Sequence, residues 1–326
     1  MRKNLNILVT GGAGYIGSHT VFELLNQGNN VTIIDDLSSG HMRLASKDAE
    51  LIECDLIDYE RMYSLTKSKD FDCVIHFASR SIVTESMMNP ILYLESNLRS
   101  AINLLKLMIE KKITKIIFSS SAAVYGLPIT RKIQENHPRN PINPYGTSKL
   151  LIENILKSLF NTKEISSLSL RYFNAVGANF KMGIGEMHDP ETHLIPSILK
   201  STFNKKPFYV YGDDYSTKDG SCIRDYVNVS DIADAHIQAI DWLEDNPGPN
   251  VMNLGTANGF SVLEILKKCS EIIEKDINFI IKPRRDGDPE ILIADAKLAK
   301  KELNWTPKKS IDQSIYEAYK WEMLNQ

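Results

Sequence analysis

Residues 5–17, LNILVTGGAGYIG, carry an apolar run straight into evenly spaced glycines and then into a helical pattern. Residues 5–10 read as a buried strand, and a helix is expected from the glycines to about Gln27. Gly11, Gly14 and Gly17 permit a tight turn and a close approach of backbone to a pyrophosphate, which the helix N-terminus then faces. Their Gly-x-x-Gly-x-x-Gly spacing differs from the Gly-x-Gly-x-x-Gly of many dehydrogenases. The strand before and the helix after supply the context that a bare glycine pattern lacks. Asp35 closes a second apolar run, 31–34 (VTII), 18 residues past Gly17. A carboxylate there binds adenosine ribose hydroxyls and repels a 2′-phosphate, so NAD is expected rather than NADP, and Asp36 adds to that preference.

Outward from this stretch the same alternation continues. Strands are expected at 51–54, 72–77 (DCVIHF), 115–118 (KIIF) and 165–170, with a helix from about Tyr59. Two helical stretches are expected between about 90 and 112, with Ile91, Leu94, Leu98, Ile102 and Leu105 at helical spacing and packed mostly on the sheet. Strands alternating with helices define an α/β fold, a doubly wound parallel (Rossmann) sheet, with functional residues at the carboxyl ends of the strands. After about residue 177 the texture changes to a long loop, GANFKMGIGEMHDPETHLIP, then helices near 194–204 and 230–243 and short strands. The expected division is a dinucleotide-binding domain over 1–176 and a smaller α/β lobe over 177–326, with segments partly interleaved.

Composition bounds the function. The 38 basic and 41 acidic side chains leave a formal net charge of −3, without the basic excess of a nucleic-acid binder. No apolar run approaches a membrane span or a signal-peptide core. The four cysteines, Cys54, Cys73, Cys222 and Cys269, form no Cys-x-x-Cys pair, which leads us to expect a reduced, cytoplasmic setting.

Candidate chemistry concentrates in a few places. In NPYGTSK (143–149), Pro144 suits a helix start, and Tyr145 and Lys149 then share one face. A nearby cation and a helix N-terminus both favour a phenolate, so the pair reads as a tyrosine tuned toward a base. Asp55 either meets an adenine amino group or, like Asp58, caps the next helix. His188 and His193 in HDPETH invite a metal, but the spacing fits no His-Glu-x-x-His pattern and no cysteine cluster supports it, so none is expected. The serines at 119–121 lack the surroundings of a nucleophile elbow.

GGAGYIGSH, Asp35, HFA (76–78), SSSAAVYG (119–126), Tyr145-x-x-x-Lys149 and LRYFNAVGA (170–178) together resemble the extended short-chain dehydrogenase/reductase family, most closely its nucleotide-sugar 4-epimerases. The likeness runs from about residue 5 to about 310 and takes in HLIP (193–196), YGDDYSTKDGSCIRDYV (211–227) and RRDGD (284–288). It implies an isomerase of carbohydrate (galactose) metabolism. Such an enzyme interconverts UDP-glucose and UDP-galactose by transient NAD-dependent oxidation at C4, rotation of the 4-keto sugar and hydride return.

The resemblance implies roles residue by residue. Tyr145 is the acid/base, Lys149 supports it and binds the nicotinamide ribose, and Ser121 bonds the sugar 4-hydroxyl. Tyr15, Ile16, Asp35, Asp55, Leu56, Phe77, Ala78, Ser79, Asn97 and Phe173 fall at cofactor positions. Asn174, His193, Leu194, Tyr209, Val210, Tyr211, Arg224, Arg285, Asp288 and Leu292 fall at UDP-sugar positions. Arg224 and Arg285 suit phosphate by their forked geometry. The other reading is a surface ion pair, Arg224 with Asp225, or Arg285 with Asp286 or Asp288. Ser81 stands where the family often has a lysine, with Arg80 before it. Leu292 stands where the family varies between a bulky tyrosine and smaller residues, leaving room for an N-acetyl group. A homodimer is the family's usual assembly, and leftover apolar face on the helices at 91–109 and 146–160 suits it. A 4,6-dehydratase of the same fold carries an Asp-Glu pair where this chain has Ala122 and Ala123. A non-catalytic NAD sensor commonly lacks the tyrosine or lysine, and this chain has both.

Overall fold

The computed structural model describes residues 4–285 and 287–325. The chain begins β1 (Asn6–Thr10), α1 (Tyr15–Asn26), β2 (Asn30–Asp35), β3 (Glu50–Glu53), α2 (Tyr59–Thr66), β4 (Cys73–His76), α3 (Val83–Met88) and α4 (Pro90–Glu110). It continues with β5 (Lys115–Ser121), α5 (Pro144–Lys163), β6 (Ser166–Tyr172), β7 (Asn174–Val176), α6 (Leu194–Phe203), β8 (Phe208–Tyr211), β9 (Ile223–Asn228) and α7 (Val229–Asp245). It closes with β10 (Pro249–Leu254), β11 (Gly259–Ser261), α8 (Val262–Ile273), β12 (Phe279–Lys282), β13 (Ile291–Leu292), α9 (Lys297–Glu302) and α10 (Ile311–Met323).

Seven parallel strands form the main sheet in the order β10-β6-β5-β4-β1-β2-β3. This is the doubly wound Rossmann arrangement. The winding reverses between β1 and β4, and a crevice opens there at the strands' carboxyl ends. Side chains of β1 alternate between two cores, Ile7 and Val9 toward Ile232, Ile240 and Leu243 of α7, Leu8 toward Leu104 and Met108 of α4. Each such Ile or Leu, fully buried, contributes about 1.5–3 kcal/mol. The seventh strand, β10, and the helix α7 before it lie past residue 176 in sequence, yet both pack on the main sheet.

The stretch from 90 differs from its sequence reading. It is one continuous helix, α4, because Pro90 opens it at its first turn and no breaker follows. The short α3 before it went unread, six residues being too few to show a period. The expected stripe holds in part: Leu105 is buried and Leu98 packs against the core, while its other edge turns outward. Tyr93, Asn97, Ala101, Leu104 and Met108 are buried, whereas Ile91 and Ile102 are 71% and 50% exposed, and Leu151 on α5 is exposed as well. Helix α4 packs on α5, and the two together leave these apolar side chains facing out.

The smaller lobe is built around β9, which pairs with β7 and β13 in parallel and with β11 antiparallel. A separate pair, β8 with β12, lies beside α6. Ile198 and Leu199 of α6, Ile265 of α8 and Ile315 of α10 close that lobe's core.

Candidate active site

A cavity of about 920 Å³ runs along the carboxyl ends of β1, β2, β4, β5 and β6 and under the smaller lobe. Its floor is the glycine turn. Gly11 has φ +73°, and a Cβ there would lie 2.5 Å from the Ala78 nitrogen, so only glycine fits between β1 and β4. A Cβ on Gly17 would collide with the Gly11 carbonyl. No side chain caps α1 beyond Gly14, so its first-turn N–H groups are left for an anion. Helix α6 likewise has no side-chain cap, and Leu194 and Ile195, whose N–H groups are free of one, line the far wall with Pro196, which has none to offer.

Asp35 closes the adenosine end. Its Oδ2 accepts from the Ala13 N–H at 2.9 Å and its Oδ1 from the Leu37 N–H at 2.9 Å. A carboxylate offers about four lone-pair sites, so capacity remains for hydroxyl donors. Burial raises the Asp35 pKa against these two bonds. Gly40 makes the contact possible, since a Cβ there would lie 2.6 Å from Asp35 Oδ1; the sequence reading missed it. Asp36 is exposed at the mouth, bonded to Ser38. Asp58, not Asp55, caps α2, and Asp55 lines the cavity with Leu56. Gly14, Tyr15, Ile16, Phe77, Ala78, Ser79 and Phe173 also line it. The Tyr15 hydroxyl is committed to the Gly177 carbonyl at 2.6 Å.

Three consecutive serines of β5 meet one face of α5. The Ser121 side chain stands near enough to the Tyr145 phenol to favour its ionised form. Lys149 Nζ donates to the Ser119 carbonyl at 2.7 Å, and Ser120 Oγ donates to Glu153 Oε1 at 2.6 Å. Residues 145, 149 and 153 stand four apart, so each helical turn places one group on one serine. Asn143 fixes the helix start, its side chain accepting from the Gly146 N–H at 2.8 Å. Lys149 is 1% exposed, and its ammonium lies 5.7 Å from the Tyr145 ring centre. The Ser119 hydroxyl also pairs with that of Tyr172, a cavity residue the sequence reading did not single out.

The tuning expected of Tyr145 draws on Lys149, the helix N-terminus and the positive nicotinamide ring together, and the protein groups alone do not supply it. In this chain burial raises its pKa, and Ser121 only partly opposes that. Burial lowers Lys149 to about 7, with Glu153 pulling it back up. A site shut from water disfavours phenolate and ammonium alike. A phenolate here therefore requires a further positive charge inside the cavity.

Several expected residues stand elsewhere. Asn97 does not line the cavity; its amide donates to the Arg80 carbonyl and Ser148 Oγ and its oxygen accepts from the Arg80 N–H, pinning the loop behind the wall. Tyr209 and Val210 are off it as well, Val210 in the lobe core and Tyr209 beneath Lys282. Tyr211 also lies outside the lining, with Arg285 stacked 4.0 Å over its ring. Side chains alternate along β8, so Val210 faces the lobe core and Tyr209 and Tyr211 the other side of the strand. Arg224 bonds Asp288 at 2.5 Å, not Asp225, whose carboxylate is taken by Thr256, Ala257 and Ala294. Asp286 lies outside the described residues. Asn174, His193, Leu194, Arg224, Arg285, Asp288 and Leu292 share the wall opposite the serines. Arg80 and Ser81 line the cavity, Arg80 standing 3.7 Å from Glu85.

His193 faces Glu186. Burial disfavours its charge, but the Glu186 carboxylate overrides this and raises its pKa.

A dinucleotide cradle at the switch point, an acid for the ribose and a buried Tyr–Lys pair beside it define an NAD-dependent enzyme built for proton transfer at a hydroxyl. Residues 7–255 match the NAD dependent epimerase/dehydratase family. The UDP-glucose 4-epimerase of Lactobacillus helveticus is 43% identical over 319 residues, covering 97% of each chain. The crystal structure of UDP-glucose-4-epimerase from Stenotrophomonas maltophila, with bound NAD and formylated UDP-arabinopyranose, superposes with TM-score 0.95 at 36% identity over 99% of each chain. The UDP-Glc/GlcNAc 4-epimerase of Campylobacter jejuni gives TM-score 0.85 at 37% identity, covering 98% of this chain and 100% of that one. The chain belongs to the NAD dependent epimerase/dehydratase family, in its UDP-glucose 4-epimerase branch.

Proposed function

We propose that the chain interconverts UDP-glucose and UDP-galactose at sugar C4, with Tyr145 as acid and base. The docking of Tyr145, Lys149 and Glu153 on Ser121, Ser119 and Ser120 carries this reading. Tyr145 takes the proton of the sugar 4-hydroxyl and later returns it, with Ser121 bridging phenol and sugar. Lys149 is anchored to the Ser119 carbonyl and has further N–H groups for ribose hydroxyls. NAD, held by these residues, would supply the hydride acceptor and donor for C4 and a positive charge that favours the phenolate.

Binding divides along the chain. The uncapped start of α1 and Asp35 hold the dinucleotide, and residues 1–176 form that part together with α7 and β10. The uncapped start of α6, Arg224 and Arg285 hold the UDP diphosphate, while the sugar is held loosely enough to turn over. Leu292, in place of a bulky ring, leaves room for an N-acetyl group, and the relative from Campylobacter jejuni is a UDP-Glc/GlcNAc 4-epimerase. UDP-N-acetylhexosamines are therefore proposed as further substrates.

A homodimer formed by the outward face of α4 and α5 would cover Ile91, Ile102 and Leu151, which that face leaves exposed. All four thiols are free and buried, which supports a reduced, cytoplasmic setting, and among the described residues no helix is long and apolar enough to cross a membrane.

The test is direct. Purified protein given UDP-galactose yields UDP-glucose with no net NADH. Accumulating NADH, or a dehydrated keto-sugar product, would show a different reaction.

A further inference from the structure

Residues 186–193 cross the end of the cavity as a loop fastened from outside. Trp321 Nε1 donates to the Glu186 carbonyl at 2.7 Å, and His41 Nε2 meets the Met187 carbonyl at 2.7 Å. Within this loop Glu186, His188, Glu191 and His193 each bring one donor atom toward a common point. These four atoms lie within 4.8 Å of one another, the one such group of His, Cys, Asp and Glu among the described residues. Glu186 is 4% exposed; its Oε1 lies 2.7 Å from His188 Nδ1 and contacts His193 Nδ1. The two imidazoles stand edge to face, 5.1 Å between centres.

We propose that these four side chains form a binding site for one divalent transition-metal ion of the zinc class. Two imidazole nitrogens and two carboxylate oxygens are the donor set that such borderline ions take, and four protein ligands are what a closed structural site uses. A hard ion such as magnesium prefers oxygen alone, and a softer one asks for thiolate. Ligand bonds of about 2.0–2.2 Å place tetrahedral donors about 3.4 Å apart, so Glu186 Oε1 draws back from the two imidazole nitrogens and the more widely spaced donors move inward, each by an ångström or so.

The surroundings support this arrangement. Lys200 Nζ holds Glu191 Oε2 at 3.1 Å, and the Thr192 and His193 N–H groups donate to Glu191 Oε1. Outer partners of this kind orient ligands around an ion. The positions 186, 188, 191 and 193 lie on a loop, so no helical period forces their convergence. Sequence spacing alone set the metal aside because it matches no compact motif; the loop's path brings the two glutamates to the two histidines.

The ion's place in the molecule follows from what comes next in the chain. His193 is the N-cap residue of α6, and Leu194 lines the cavity. An ion gripping 186, 188, 191 and 193 fixes where α6 starts, and with it the wall opposite the serines. Its role is to hold that wall rather than to enter the reaction.

The experiment uses the untagged full chain, stripped with chelator, desalted and titrated with zinc chloride alone. Bound metal is counted by plasma mass spectrometry and heat by calorimetry. The expected result is one zinc per chain, a rise in melting temperature on loading, and affinity at least about 10-fold weaker in His188→Ala and in Glu191→Gln. Both variants alter half-buried side chains, and circular dichroism checks that each folds. Cobalt substitution adds a readout independent of activity, visible bands in the wild type that are lost in His188→Ala. Wild type that takes up no stoichiometric zinc, or variants that bind zinc as tightly as the wild type, would overturn the site, the binding then being adventitious only.

Discussion

Glu153 on α5 holds Arg171 on β6 through two hydrogen bonds, Oε1 to Nε at 2.8 Å and Oε2 to Nη2 at 2.6 Å, and Arg171 is fully buried. Glu153 is also the carboxylate that supports the charge of Lys149 one turn earlier. The pair thus ties the helix of the reactive tyrosine to the sheet. Glu153→Gln leaves a buried guanidinium without its counter-charge, and its expected cost is about 3–5 kcal/mol in chemical denaturation. A loss below 1 kcal/mol would mean that Tyr125 and the Glu135 carbonyl, which Arg171 also reaches, suffice on their own.

Tyr145→Phe removes the proton carrier while leaving the ring that packs near Lys149. The expected fall in kcat is about 10²–10⁴-fold, the contribution of a positioned acid–base group. Steady-state turnover of UDP-galactose measures it. A decrease under tenfold would move the proton transfer to another group.

His236 is fully buried against Phe77, its Nδ1 bonded to the Ile232 carbonyl at 2.9 Å, and burial lowers its pKa to about 4. The unfolded value is about 6.5, so below that pH the unfolded state binds more protons than the folded one. Stability contributed by this neutral ring is complete above pH 6.5 and is lost as pH falls toward 4. The slope is about 1.4 kcal/mol per unit, about 3 kcal/mol across the window. His236→Phe should flatten the urea stability curve between pH 6.5 and 4 by up to that amount, and an unchanged slope would show that the imidazole finds a proton-accepting partner when charged.

Ile102 is 50% exposed on α4, in line with Ile91 and close to α5. Ile102→Arg places a charge on the proposed helix face between two chains. Sedimentation should find a dimer for the wild type and mainly monomer for the variant. A monomeric wild type would remove the assembly from consideration.

Leu292 is half-buried in the cavity wall beside Phe173. Leu292→Tyr should lower kcat/KM for UDP-N-acetylgalactosamine by about tenfold or more relative to UDP-galactose, the scale of a modest steric change in a pocket. Equal effects on both substrates would place the N-acetyl group elsewhere.

Local physics made much of this protein readable from its residues in order. The strand–glycine–helix unit follows from backbone freedom at Gly11 and the close approach that Gly17 allows, and the facing of Tyr145 and Lys149 follows from the period of a helix opened by Pro144. Such features depend on neighbours a few positions away, so a string of letters carries them. What the letters left open depends on partners brought together by packing. Arg224 chose Asp288, 64 positions on, because Asp225 was already saturated by backbone donors. Asn97 turned to the Arg80 loop, Val210 went to the lobe core with Tyr209 on the opposite face of its strand, and one edge of the α4 stripe, Ile91 and Ile102, faced out while Leu105 stayed buried. The pKa of Tyr145 rose because closure of the cavity removed water, a cost that no spacing records.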